Sequence, residues 1–111
     1  ARADSFTESF QMIAKQVQTN MIAGKTDTEI ICSTDSDCQT KYGLSTDYSL
    51  TVSGNSSSGF IVALEPTDNS KFKNIDLEGK GKDRCSGGKI SVGTFKDQTC
   101  TKTSITSKAI K

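Results

Sequence analysis

The stretch DSFTESFQMIAKQV, residues 4–17, decides the fold of this chain. Its apolar side chains recur at the three- and four-residue spacings of one helix face. Extended by one more turn, this apolar stripe consists of Phe6, Phe10, Ile13, Ala14, Val17 and Met21. Gly24 follows where a helix would end. The sequence therefore predicts an amphipathic helix over residues 1–24 that packs on a sheet.

Three segments after this helix carry the signals of β-strands. DYSLTVSG, residues 47–54, alternates apolar and polar side chains, which is typical of a half-buried strand. FIVALEP, residues 60–66, is apolar on both faces and indicates a central strand. KFKNIDLEG, residues 71–79, predicts a third strand, and residues 89–93 predict a fourth. Together they predict an antiparallel meander over residues 48–93.

Two other segments lack a clear period. Residues 25–47 predict an irregular connection, and connections of this length tend to be functional or interaction surfaces. The tail over residues 101–111 is expected to fray, with docking at Ile105 and Ile110.

Composition limits the core and points to export. The chain has 111 residues, of which 32% are hydrophobic, and it contains no Trp. It is therefore expected to form one domain with a modest core. An even number of cysteines in such a chain favours disulfides over a metal site, particularly since no His is present to share a zinc ion. The four cysteines are Cys32, Cys38, Cys85 and Cys100. Three pairings exist, and the local pairs Cys32–Cys38 and Cys85–Cys100, which close short loops, are favoured.

Charge is distributed unevenly along the chain. Residues 1–78 carry six basic and eleven acidic side chains, whereas residues 79–111 carry eight basic and two acidic ones. Such asymmetry favours attraction between copies, or between the basic end and an anionic partner. The candidate contact for a neighbouring subunit or an anionic partner comprises Lys80, Lys82, Arg84 and Lys89.

Few residues indicate catalysis or metal binding. Without His or an expected free Cys, the usual nucleophile and base pairs cannot form, so the chain is predicted not to be an enzyme and to need no cofactor. Asp35 and Asp37 supply oxygen ligands of the kind calcium prefers, but the glycine turn and distal glutamate of a calcium loop are missing. No metal is therefore predicted.

The order of these features resembles a type IV pilin. A helix, a long connection, an antiparallel meander and a cysteine-bounded end follow one another. The opening ARA, residues 1–3, followed by residues 4–17, is similar to the place where the exposed half of a pilin helix leaves its hydrophobic half. The resemblance implies an α+β pilin head: an N-terminal amphipathic helix on a four-stranded antiparallel sheet, with a disulfide-bounded C-terminal region.

The resemblance also implies roles for individual segments. Residues 25–47 would be the αβ-loop, and Cys85–Cys100 would bound the D-region over residues 85–100, both exposed on a filament. A hydrophobic half-helix preceding Ala1 would hold the subunit in the inner membrane, with its head in the periplasm, before assembly into an extracellular fimbrium. The implied partners are other pilin subunits in a helical homo-oligomer, the pilus assembly machinery, and a host surface or DNA.

Two alternatives remain open at this point. A type II secretion pseudopilin would share the fold but form a short periplasmic fibre. An exported minor pilin could instead bind DNA or a surface through the basic segment over residues 79–96.

Overall fold

The computed structural model describes residues 2–77, 95–101 and 103–109. Its elements are α1 (Arg2–Ile22), α2 (Asp27–Ile30), α3 (Asp35–Tyr42), β1 (Tyr48–Asn55), β2 (Gly59–Pro66), β3 (Phe95–Cys100) and β4 (Ile105–Ala109). The described strands form one antiparallel sheet in the order β1-β2-β4-β3. An α+β fold with an N-terminal helix and a four-stranded antiparallel sheet is therefore confirmed.

Helix α1 buries the predicted stripe. Phe6, Phe10, Ile13 and Val17 are buried in the core, and Met21 is partly buried against it. The helix ends at Ile22, two residues before the predicted end at Gly24, whose φ of 78° in the turn that follows suits a residue without a side chain. Because one face of α1 is apolar and the sheet needs cover on one side, their packing forms the main core.

The prediction of an irregular connection over residues 25–47 is wrong, because α2 and α3 lie within it. Thr26 and Glu29 form a reciprocal capping box that starts α2. Thr34 caps α3 through a hydrogen bond from the Asp37 backbone N–H, and Gly43 ends it in the left-handed conformation at φ 64°. Caps, rather than a long apolar stripe, define these short helices.

Strands β1 and β2 form the predicted hairpin. Leu50 lies opposite Leu64 and Val52 opposite Val62, and all four side chains are buried. The predicted alternation in β1 is therefore confirmed. The turn between the strands is held by the side-chain oxygen of Asn55, which accepts hydrogen bonds from two backbone N–H groups.

The prediction of a third strand over residues 71–79 is wrong for its described part. Residues 71–77 form successive turns, with backbone hydrogen bonds from Lys73 to Ser70 and from Ile75 to Phe72. Phe72, Ile75 and Leu77 are nevertheless buried in the core. These side chains therefore reach the core from a turn rather than from a strand. The predicted strand at residues 89–93 lies outside the described residues.

The end of the chain also differs from the prediction. Instead of fraying, Ile105–Ala109 forms β4, which lies between β2 and β3. The sheet is therefore not a simple meander, since β4 rather than β3 lies beside β2. Ile105 docks in the core as expected, whereas Ile110 lies outside the described residues.

Candidate functional site: the disulfide-bound segment and the groove beside α1

We call residues 25–47 the disulfide-bound segment, because the bond between Cys32 and Cys38 lies at its centre. Cys32 also exchanges two backbone hydrogen bonds with Val52 of β1, each 2.9 Å long. Cys38 Sγ lies 3.0 Å from the carbonyl oxygen of Leu50. Both half-cystines are buried, so the bond fixes α3 to the outer edge of β1.

Helix α2 begins with a charged cap. The backbone N–H of Thr26 donates to Glu29 Oε1 at 2.9 Å, and the Thr26 hydroxyl donates to the same oxygen at 3.0 Å. These bonds favour the carboxylate, and the backbone bond is the larger cause of a pKa below the ordinary value for Glu29. Glu29 is therefore a structural cap, held ionised at neutral pH.

Lys41 joins α3 to α2. Its ammonium group donates to the carbonyl oxygens of Thr28 at 3.0 Å and Ile31 at 2.7 Å, and it lies 3.3 Å from the carboxylate of Asp37. Three partners use the three donors of the ammonium group. All donors of the Lys41 ammonium group are therefore used in contacts that stabilise the disulfide-bound segment.

Tyr42 is a second residue that links α3 to α2. Its hydroxyl donates to the carbonyl oxygen of Ile30 at 2.5 Å, and burial is the main cause that raises its pKa to about 12. A side-chain hydrogen bond with Asn20 of α1 acts in the opposite direction on the pKa. The neutral phenol thus ties α1, α2 and α3 together.

The two carboxylates that resembled calcium ligands have protein partners. Asp37 pairs with Lys41, and Asp35 accepts a hydrogen bond from the Ser49 hydroxyl at 3.0 Å. Over residues 2–77, 95–101 and 103–109, no three side chains of His, Cys, Asp or Glu are grouped so that they could hold a metal ion.

A groove of about 280 Å³ runs between α1 and the start of β1. Met12 and Gln16 form its α1 side, and Leu44 and Tyr48 form the other side. Met12 is 63% exposed, whereas Gln16, Leu44 and Tyr48 are half-buried. The Ser9 and Tyr48 hydroxyls, one on each side of the groove, share a 2.7 Å hydrogen bond.

This groove suits contact with another apolar surface. None of the side chains that line it is charged. The ring of Tyr48, on one side of the groove, stacks on the buried ring of Phe72 with centroids 5.3 Å apart. An exposed Met supplies an adaptable apolar contact.

The structure describes only part of the predicted site. Cys32 and Cys38 are joined as predicted. Cys100 carries no free thiol, but Cys85 lies outside the described residues, so the bond between them stays a prediction. The basic residues Lys80, Lys82, Arg84 and Lys89 also lie outside the described residues.

Sequence reasoning missed the groove. Met12 lies off the apolar stripe of α1, and Ile22 near the end of the helix is 79% exposed. The sequence signal that could have indicated the groove is Met12, an apolar residue on the solvent-exposed face of an amphipathic helix. Leu44 gave no signal, because its place beside α1 depends on α3.

Comparison with protein-family models, curated proteins and solved structures finds no match to this chain. Within the part of the chain that the structure describes, every helix is too short or too polar to cross a bilayer.

Proposed function

We propose that this chain is the head of a type IV pilin, a structural subunit that assembles into a surface filament. The observation that carries the proposal is α1, a 21-residue helix that buries one stripe against an antiparallel sheet and leaves an apolar groove beside it. A disulfide fixes the following connection to the sheet edge. A rigid head with an exposed contact groove suits repeated packing between subunits.

The partners and the location belong to the same proposal. The subunit would assemble with further copies in a helical filament, with help from the pilus assembly machinery. It would be held in the inner membrane by an apolar segment before assembly, with its head in the periplasm, and would end in a fimbrium. The filament would serve adhesion to a host surface, motility or DNA uptake.

The coding sequence upstream of Ala1 tests the family directly. A short basic leader, a Gly–Phe junction and about 25 apolar residues, enough to span a bilayer, would support the proposal. An ordinary cleavable signal peptide directly before Ala1 would contradict it.

The groove gives a test of assembly in cells that express the complete protein. Met12→Lys places a charge in the groove, and we expect sheared filaments to fall at least tenfold while the head stays folded. Thr19→Lys is the matched control, because Thr19 is exposed on α1 but does not line the groove. Electron microscopy and immunoblotting of the sheared fraction measure the filaments.

The outcome of this pair separates assembly from stability. Wild-type filament yield from Met12→Lys, or filaments in a strain that lacks the gene, would contradict the proposal. Filaments confined to the periplasm would favour the secretion pseudopilin. DNA binding through residues 79–96 stays a prediction, since most of that segment lies outside the described residues.

A further inference from the structure

On the face of the sheet away from α1, the described side chains of β1, β2 and β4 are exposed or partly exposed. In its central row, Thr51 lies opposite Ala63, and Ala63 lies opposite Thr106. These side chains are small, so another surface can approach the backbone closely. We call this surface the open face; on β1, β2 and β4 it comprises Ser49, Thr51, Ser53, Ile61, Ala63, Glu65, Thr106 and Lys108.

The open face carries opposite charges at its two ends. Lys108 lies in register with Ile61, and Glu65 lies in register with Ser49. Ile61 and Glu65 are four residues apart on one strand, a span of about 13 Å. Both charged side chains are exposed, and neither has a hydrogen bond or ion pair with another described residue.

Neighbouring residues reinforce this polarity. At the basic end, the charge comes from the exposed ammonium group of Lys108. At the acidic end, Asp35 accepts a hydrogen bond from Ser49, and Ser49 lies opposite Glu65. A second carboxylate therefore lies near that end of the face. One end of the open face would therefore gain from a negative partner and the other from a positive one.

The shape of the open face is also complementary to itself. Ile61 protrudes at the basic end and is 39% exposed. A shallow depression of about 160 Å³ lies toward the acidic end, lined in part by Ala63, Glu65 and Thr106. An exposed apolar side chain and a mostly polar depression thus lie at opposite ends of the same face.

We propose that the open face binds a second copy of this chain through a two-fold axis near Ala63. Antiparallel packing of the two faces places Lys108 of each copy over Glu65 of the other. The same rotation brings Ile61 of each copy to the depression of the other. Such a contact is isologous and closed, so it joins two heads and no more.

The size of the face sets the strength of the contact. Three strands about 4.8 Å apart and five residues deep cover roughly 240 Å². A stable interface buries about 800 Å² on each partner, so the isolated pair is weak and salt-sensitive. It becomes effective where heads are held at high local concentration. The contact goes beyond the proposed pilus assembly, because it uses the side of the sheet away from α1.

Sedimentation velocity of the soluble chain over rising concentration tests the proposal. We expect a reversible monomer–dimer equilibrium at about 50 mM NaCl that weakens about tenfold at about 500 mM. Lys108→Glu and Glu65→Lys should each weaken dimer formation at least tenfold. The double variant should restore it, and should not pair with the wild-type chain.

Matched controls carry the same charge changes on α1. Lys15→Glu and Glu8→Lys reverse exposed charges away from the open face and should leave the dimer unchanged. If the wild type and both open-face single variants showed the same monomer–dimer equilibrium, the proposal would be overturned. Loss in Lys108→Glu alone would also overturn it, because that result would indicate a different anionic partner at the basic end.

Cross-linking gives a second readout that does not depend on charge. Ala63→Cys, treated with a bis-maleimide linker of about 8 Å, should yield covalent dimers, because facing sheets lie about 10 Å apart. Ser57→Cys, in the exposed β1–β2 turn, is the control and should stay monomeric. Equal cross-linking of both variants would contradict the proposed geometry. Because purified chain is used, these results stand whether or not the protein forms pili.

Discussion

The two faces of the sheet differ sharply, although the same strands build both. On the inner face, Leu50, Leu64 and Ile105 lie in register and are buried beneath the helix. On the open face, one residue along each strand, the central row is Thr51, Ala63 and Thr106. Successive side chains of a strand point to opposite faces of the sheet. One face therefore supplies core residues, and the other remains available for contact.

This separation has an experimental consequence. Substitutions on the inner face should change the free energy of unfolding and affect association only through folding. Substitutions on the open face should do the opposite. Neighbouring residues on one strand therefore make matched pairs, since they share backbone environment and differ in the face they occupy.

The largest expected difference is between Phe60 and Ile61. Phe60 is completely buried, and Phe60→Ala should lower the free energy of unfolding by about 3–5 kcal/mol because it leaves a cavity. Ile61→Ala should cost less than about 1 kcal/mol, as is usual for an exposed strand position. Urea unfolding followed by circular dichroism measures both.

Association should show the reverse order. Ile61→Ala removes the protruding side chain from the open face and should weaken dimer formation several-fold at unchanged fold. Similar unfolding free energies for the two variants would show that the faces are not separated in the way the burial pattern indicates.

The elements that sequence reasoning predicted well share a local signal. Helix α1 follows from the spacing of Phe6, Phe10 and Ile13, and β1 follows from the alternation of Leu50 and Val52. In each case, the buried apolar residues recur along the sequence with the period of the helix or strand that they form.

The elements that it missed depend on weaker or distant signals. Helix α2 had a readable capping box at Thr26 and Glu29, but only a four-residue body. Strand β4 buries Ile105 and Ser107, so its inward face has little apolar pattern. Its place beside β2 is a pairing between segments about forty residues apart, which no local period reports.

The candidate site was predictable only in its covalent part. Close spacing in the sequence suggested the bond between Cys32 and Cys38. The groove and the open face arise when separate elements meet, so their residues carry no common motif. Met12 was a weak hint, since it is apolar on the exposed side of α1.

Removal of the disulfide tests whether the edge of the sheet that it holds contributes to dimer formation as well as to stability. Replacing Cys32 and Cys38 together with Ala should lower the free energy of unfolding by about 2 kcal/mol, because the closed loop is short. Dimer formation should remain within about twofold, since neither residue lies on the open face. Sedimentation and urea unfolding of the same sample provide the measurement, and a large loss of dimer in a folded variant would contradict the separation.

Tyr42 gives the smallest and most specific test, on the inner side of the molecule. Tyr42→Phe removes the donor to the Ile30 carbonyl and should cost about 1–2 kcal/mol. The folded-state pKa of Tyr42 is raised to about 12, above the ordinary value near 10, so the folded state holds the proton more tightly. The contribution of Tyr42 to stability is therefore complete below pH 10 and is lost as pH rises from about 10 to about 12.

The difference between the wild type and Tyr42→Phe isolates this effect from the lysines, which titrate in both proteins. Their unfolding free energies should converge as pH rises through that window, while the open-face variant Ile61→Ala should stay parallel to the wild type. Parallel curves for Tyr42→Phe would mean that the phenol is not held neutral by its surroundings. Convergence would place the titrating group on the buried side of the sheet, where burial and the Ile30 carbonyl both favour the protonated form.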